Sequence, residues 1–526
     1  MDLSRALIGG AFVPTTGPET RIISPVDGAE LYRLRLAGQA EAEAALVSAK
    51  AAEPAAAALP QAARAAALET LADRLATRAE AIGTALVMEN GCPSRDVVPM
   101  QALSAIAVLR SMAPIAAEHP MEEVRKGLRG GDVLVRKIPV GTALGVTPWN
   151  APVFLACVKI ASAVAAGCPL ILKPAPETIG ATMHLAEALA ELDLPQGMIS
   201  VLHGDRDLGR ALVADPRVAK ISFTGSVAGG QQVAAAAAER MARVTLELGG
   251  KSAAIICEDV DLDAVLPELM AAMVQNNGQI CGAQTRLLIS RPIYEQTLSR
   301  LAEAFANLKV GDPRDPETAV GPVISAAQAA RIKTAILAAR QAGGRVVAGD
   351  EAPKDTPPGY YVAPTLVADL PQDSELVQSE LFGPVIVALP FDDDDHALHL
   401  ANDSRFGLAA SVWSSNQDRA LWLASGISSG TVALSSKRIL DFGSPFGGLR
   451  MSGMGRELGP EGIDSYLEKQ SILAPHGLPS SSLPTRLRKR HSATDHEESS
   501  NGPPQIAVHD AERTGTRSTV EISGDS

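Results

Sequence analysis

Three observations predict an α/β protein of more than one domain. From Gly141 to about Gly250, β-like and helical runs alternate, which implies a parallel sheet with helices on both faces. A second alternating block runs from Ala253 to about Leu434. At 526 residues the chain exceeds what one hydrophobic core organises, so two or three domains are expected.

The elements follow in order. Short β-like runs with turn residues open the chain, Leu7 to Val13 and Arg21 to Gly28. Alanine-rich helices are predicted over Gln39 to Lys50 and Gln61 to Glu89. The second carries Leu68, Leu71, Leu75 and Ile82 as a core-facing stripe. Asp132 to Val140 alternates apolar and polar residues after Arg129-Gly-Gly131 and reads as one arm of a hairpin. In the first alternating block, strands are predicted over Thr142–Val146, Pro169–Lys173, Ile199–His203, Ala219–Phe223 and Arg243–Glu247. The intervening helices are Val153–Ala166, Thr178–Leu192, Leu208–Ala214 and Gln231–Arg240. Sheets of this kind bind ligands at the carboxyl ends of their strands. Asp259 to Asn276 and Pro292 to Asn307 are the first helices of the second block. After about Pro475 the composition turns to Ser, Pro, Gly, Arg and Glu without aromatics. Such a tail buries too little apolar surface to offset its ordering entropy and is expected to be disordered.

Composition narrows the function. A net charge of −13 argues against a nucleic-acid partner. Five scattered cysteines form no disulfide framework and fit a reducing, cytoplasmic compartment. The longest apolar stretch, Ile160 to Leu172, falls short of the ~20 residues that span a bilayer, so no membrane association is expected. Four of the nine histidines lie in the tail, which makes histidine a poor catalytic candidate. No metal is expected.

The candidate chemistry sits at strand ends and in one Gly-rich turn. Cys281 lies between Gly278 and Gly282, where the backbone can bend around a small substrate; alone, it reads as readily as a buried apolar residue. Glu247 ends a strand beside Gly249 and Gly250, placed to face a cleft. Asn150, in Pro148-Trp-Asn150, offers an amide to a developing oxyanion or else caps the following helix. Lys173 ends an apolar strand and suits a ribose or phosphate, or solvent. Phe223-Thr-Gly-Ser-Val-Ala-Gly-Gly230 joins strand to helix; Gly225 and Gly230 permit close approach, and the helix start attracts a pyrophosphate.

Six stretches in order resemble the NAD(P)-dependent aldehyde dehydrogenase superfamily. They are Pro148-Trp-Asn150, Phe223-Thr-Gly-Ser226, Glu247-Leu-Gly-Gly-Lys251, Gly278-Gln-Ile-Cys281, Glu380-Leu-Phe-Gly-Pro-Val385 and Pro445 to Gly459. The resemblance is collinear from about Leu7 to Ile472. It implies a Rossmann-type cofactor domain (1–119 and 141–247), an α/β catalytic domain (248–445), a β oligomerisation arm with the C-terminal strand (120–140 and 446–474), and the tail 475–526. It also implies Cys281 as nucleophile, Glu247 as general base, Asn150 as oxyanion donor with the Cys281 N–H, and Lys159 with Glu457 as a proton relay. For the cofactor it implies Lys173 at the adenosine ribose, Gly225, Ser226 and Gly230 at the pyrophosphate, and Glu380 at the nicotinamide ribose. Trp149, Leu248 and Phe382 complete that set. By family position the substrate tunnel is lined by Ala151, Phe154, Leu155, Val158, Ile280, Leu440 and Phe446.

One position departs from the family pattern. Where many NAD-preferring members carry a glutamate, this chain has Pro176, with Glu177 one residue late. The missing carboxylate removes a repulsion against the 2′-phosphate of NADP, yet no second cation stands between Lys173 and His184 to reward it. NAD is therefore expected, with NADP accepted at a penalty. The implied reaction is oxidation of an aldehyde to the acid through a cysteine thioester. A CoA-acylating semialdehyde dehydrogenase and a catalytically idle structural relative are the alternatives, and the presence of both Glu247 and Cys281 disfavours them. The apolar tunnel favours a medium-chain, aromatic or terpenoid aldehyde, with Arg438 near the entrance weighing against that. A homodimer or homotetramer is expected, with the arm paired to the last ordered strand of a neighbour near Tyr466 to Leu473.

Overall fold

The structure, a computed structural model, describes residues 2–349 and 356–479. It divides into two compact units, Met1–Pro120 with Lys137–Lys469, and Met121–Arg136 with Gln470–Ser526. The first unit holds two large sheets. One has eight strands in the order Gly453–Met454, Arg243–Glu247, Lys220–Thr224, Ala143–Thr147, Leu170–Pro174, Ile199–Val201, Arg5–Ile8 and Ala11–Pro14. The five from Arg243–Glu247 to Ile199–Val201 run parallel, and the strand order reverses at Ala143–Thr147. A crevice opens at the carboxyl ends of such strands, at the point of reversal. Trp149 and Asn150 follow one of these ends, and Lys173 and Glu247 stand at two others.

The second sheet has seven strands, ordered Arg345–Ala348, Thr365–Ala368, Val385–Phe391, Arg286–Ser290, Ala253–Ile256, Ala409–Trp413 and Thr431–Leu434. Only the first of these pairs antiparallel. Lys251, Cys281 and Glu380 precede the strands Ala253–Ile256, Arg286–Ser290 and Val385–Phe391, so this sheet presents the amino ends of its strands. Both sheets are buried on each face, which is why their strands read as near-continuous apolar runs.

Local chemistry moved several boundaries. The opening run is a hairpin, Arg5–Ile8 with Ala11–Pro14, turned by Gly9 and Gly10 at positive φ. The helix from Gln39 continues past Pro54 to Ala58. The run from Gln61 to Glu89 is two helices, Gln61–Ala76 and Ala79–Glu89, that break at Thr77 and Arg78. The helix expected from Asp259 to Asn276 spans Leu262–Val274: the Asp261 carboxylate accepts from the Asp263 N–H at its start, and left-handed Asn276 follows its end. The continuous helical run Ser94–Glu118, 25 residues, is long and apolar enough to cross a membrane, a length that the apolar stretch counted in the sequence did not reveal. Its Ala105, Val108, Leu109, Met112, Ala113 and Ala116 are buried in the core around the helix Pro152–Ala166, as expected of a core helix.

The second unit contains a three-stranded sheet in the order Leu467–Ala474, Asp132–Pro139, Glu122–Lys126. Glu122 faces Arg136 and Lys126 faces Asp132 across the antiparallel hairpin. The arm therefore pairs with the last strand of its own chain, which corrects the expectation of a neighbour's strand there. Of the tail expected to be disordered, residues 480–526 lie outside the described residues.

Candidate active site

A cavity of about 470 Å³ in the first unit gathers Cys281, Glu247, Asn150, Thr224 and Glu457 at one region of its wall. All seven residues expected to line a substrate tunnel, Ala151, Phe154, Leu155, Val158, Ile280, Leu440 and Phe446, line this same cavity. Seven apolar neighbours were missed: Pro99, Met100, Ala272, Ala283, Ile439, Phe442 and Leu458. Pro99 and Met100 sit in a widened π turn, Val98–Leu103, far from Cys281 in sequence and without a pattern that points to it. Phe442 packs its ring 5.9 Å from that of Phe154, in a stretch between elements that period-based reading passes over.

The turn before Cys281 is set by three consecutive residues at positive φ, Asn276, Asn277 and Gly278. Asparagine tolerates this conformation better than most residues. Asn277 donates to the carbonyls of Gly91 and Pro322, 2.9 Å each, and accepts from the Gly321 N–H at 2.7 Å. A Cβ on Gly278 would fall 2.4 Å from the Gly383 backbone, so this turn and the Glu380-Leu-Phe-Gly-Pro segment touch main chain to main chain. Gly282 likewise makes room for Ile439, and Gly225 and Gly230 for Phe223 and Leu248. Each of these glycines gives the space of a side chain to a packing contact within the protein.

Asn150 is buried, and it does not cap the helix Pro152–Ala166, whose cap position is Ala151. Its side-chain amide donates to the Gln279 carbonyl at 2.9 Å, two residues before Cys281. Its own carbonyl accepts from Asn276 (3.0 Å) and Gln101 (2.8 Å). The amide is thus locked beside the Cys281 turn with a second N–H in hand. Of the five free cysteines, Cys92, Cys157, Cys168 and Cys257 are fully buried, and Cys281 alone lines the cavity. Burial, with Glu380 and Glu247 adding negative charge, pushes the Cys281 thiol up to about 12.

Glu247 reaches this region because the turn after its strand packs onto Cys281: a Cβ on Gly250 would lie 2.5 Å from the Cys281 carbonyl oxygen. Both Glu247 carboxylate oxygens are buried and accept no hydrogen bond among the described residues. Burial, and then the nearby Glu457, raise its carboxyl well above the usual range, against the pull of Lys159 and Arg456. Behind it, Lys159 donates to Glu457 at 2.6 Å, to Ser222 at 3.0 Å and to Thr224 at 2.9 Å. Ser222 also donates to Glu457, at 2.8 Å.

Glu380 accepts from the Gly250 N–H at 3.0 Å, and burial pushes its carboxyl up to about 7. A Cβ on Gly249 would strike its Oε2 at 2.2 Å, so only glycine lets this carboxylate lie against the turn. Phe382 holds a positive φ, and its ring meets Trp149 edge-on at 5.6 Å. Gln328 donates to the Leu381 and Phe382 carbonyls and so fixes this strained turn.

Lys173 is buried at the carboxyl end of its strand, not in solvent, and forms no ion pair among the described residues. Burial lowers its ammonium to about 8, with Glu177 and Asp205 opposing. A buried, unpaired ammonium at a strand end fits an anionic, hydroxyl-bearing ligand. Ser226 is exposed at the start of the helix Val227–Ala238 and accepts from the Gly229 N–H at 3.2 Å. Leu248 is buried with its side chain against Gly230.

Comparison with known proteins places the chain in a family. The Aldehyde dehydrogenase family matches residues 12–472. The geranial dehydrogenase of Castellaniella defragrans is 39% identical over 405 residues, covering 77% of this chain and 84% of its own. The betaine aldehyde dehydrogenase of Cereibacter sphaeroides is 37% identical over 457 residues, 87% of this chain and 94% of its own. In structure, a Mycobacterium tuberculosis aldehyde dehydrogenase complexed with NAD+ superposes with a TM-score of 0.87 at 36% identity, covering 90% of this chain and 99% of that one. With residues 12–472 matched by the family, and relatives 37–39% identical over most of their length, this chain belongs to the aldehyde dehydrogenase family.

Proposed function

We propose that this protein oxidises an aldehyde with an apolar body to the carboxylic acid, through a thioester on Cys281 and with NAD as hydride acceptor. The observation that carries this reading is the meeting of Cys281, Glu247 and Asn150 in one apolar cavity. Cys281 Sγ, as thiolate, attacks the aldehyde carbon. The free N–H of the Asn150 amide and the Cys281 backbone N–H receive the oxyanion, one such donor being worth ~3 kcal/mol of barrier. NAD, when bound, supplies the acceptor for the hydride whose departure leaves the thioester. Glu247 then takes a proton from water as the water attacks, Sγ leaves, and the acid is released. Lys159 and Glu457 pass that proton on from Glu247.

The first sheet with its helices is read as the cofactor half and the second as the catalytic half. Lys173 holds the adenosine ribose and Gly225, Ser226 and Gly230 shape the pyrophosphate site. Leu248 forms the adjoining wall, while Glu380, Phe382 and Trp149 hold the nicotinamide end. Pro176 lies in a short turn, Pro176–Thr178, and Glu177 is exposed. NAD is accordingly preferred, and NADP accepted at a penalty. The test is NAD(P)H absorbance with an apolar aldehyde panel, with and without CoA. Turnover is expected without CoA and with higher kcat/KM for NAD. Turnover that requires CoA would establish the acylating alternative, and a tenfold preference for NADP would overturn the cofactor assignment.

The three-stranded sheet leaves two open edges, Glu122–Lys126 and Leu467–Ala474, with Leu128 and Leu473 exposed. Open strand edges invite association, so a homodimer or homotetramer is expected. Light scattering at micromolar concentration checks it, and a monomer contradicts it. The free state of all five cysteines supports a cytoplasmic setting.

A further inference from the structure

The outer wall of the cavity carries charge of one sign. Its exposed lining includes Lys437 and Arg438, beside apolar Leu440 and Ile439. Lys437 pairs with Glu268 at 3.4 Å, which neutralises it. The Arg438 guanidinium has no carboxylate at ion-pair distance among the described residues; only its backbone N–H is engaged, with Ser436 Oγ at 3.1 Å. The two carboxylates on the cavity wall, Glu247 and Glu457, stand with Cys281. Between these groups the wall is Met100, Phe154, Leu155, Ile280, Phe442 and their apolar neighbours.

We propose that Arg438 selects aldehydes that carry a carboxylate remote from the carbonyl, joined to it by an apolar chain: ω-oxo carboxylic acids of medium chain length. The inference rests on the reading of Cys281 as nucleophile, which orients the aldehyde carbon inward. The chain then lies along the apolar wall, where each methylene taken out of water strengthens binding roughly fourfold. The far carboxylate meets a planar guanidinium fork that matches it in shape and charge. The same charge repels a quaternary ammonium, and the one carboxylate paired with the exposed cations among the described residues, Glu268, is engaged by Lys437. The reaction that supplies such a substrate is oxidation of an ω-hydroxy acid, and its product is a dicarboxylate.

Nonanal, its ω-carboxylate analogue and its ω-trimethylammonium analogue form a panel matched in length. The expected order of kcat/KM is carboxylate, neutral, cation. An exposed pair gives an anion preference of about threefold to fivefold, carried in KM. Added KCl should shrink it. Arg438→Gln is expected to bring the carboxylate-to-neutral ratio to about one, Arg438→Lys to restore part of it, and Arg438→Glu to invert the order. A carboxylate analogue no better than nonanal, or a preference that survives Arg438→Gln, overturns the proposal. If none of the three aldehydes yields NADH, the dehydrogenase reading itself fails and takes this inference with it.

Discussion

Cys281→Ala abolishes NADH formation, on the order of 10⁴-fold or more, while NAD binding remains. The expectation follows from position: the other four cysteines are fully buried, and none of them lines the cavity. Alanine removes only the Sγ atom, and the turn that carries it is held by Asn277 and by backbone contact with Gly383, so the variant folds. Iodoacetamide gives an independent reading. Burial and the two carboxylates push the thiol up to about 12, so the thiolate fraction of the free enzyme, and with it the alkylation rate, climbs with pH through the neutral and alkaline range. The positive nicotinamide of bound NAD favours the thiolate, and its addition should speed alkylation at fixed pH. Inactivation that tracks an adduct on Cys92, Cys157, Cys168 or Cys257 would remove Cys281 from the nucleophile's role.

The parts of this site that were legible in the sequence are those written into short contiguous stretches. Strand–helix alternation exposes a parallel sheet because such strands are buried on both faces, and the motifs mark strand ends because glycine is needed where two turns meet. What the sequence could not say is which contact each glycine serves. A Cβ on Gly225 would meet the Phe223 ring and one on Gly230 the Leu248 side chain, contacts that no local pattern records. Sequence cannot tell Asn150 from a helix cap; the cap position is Ala151, and the Asn150 amide lies on the Gln279 carbonyl. Pro99, Met100 and Phe442 reach the cavity by tertiary packing alone, and no local period encodes that. The arm was assigned to a neighbour's strand because pairing between distant segments carries no local signal either; its partner is Leu467–Ala474 of the same chain.

Glu247→Gln should lower steady-state turnover by about 10² to 10⁴, the span usual for a general base, and leave the first turnover in place. Glutamine keeps the shape of the side chain but cannot accept water's proton, so acyl-enzyme accumulates and a pre-steady-state burst of NADH survives or grows. The parent enzyme supplies a pH signature for the same step. Burial and Glu457 raise the Glu247 carboxyl, and a base works only when deprotonated. Deacylation is therefore lost as pH falls through the raised value, on an acid limb that lies above the ordinary carboxylate range, and Glu247→Gln removes that limb. Stability carries the opposite sign. An acid whose pKa is raised by folding destabilises the fold as pH climbs from its unfolded value toward its folded one. Replacing it with a neutral amide should thus raise Tm at neutral pH relative to the parent, a readout independent of turnover. A burst that falls in step with the steady-state rate would place Glu247 in activation of Cys281 instead of deacylation.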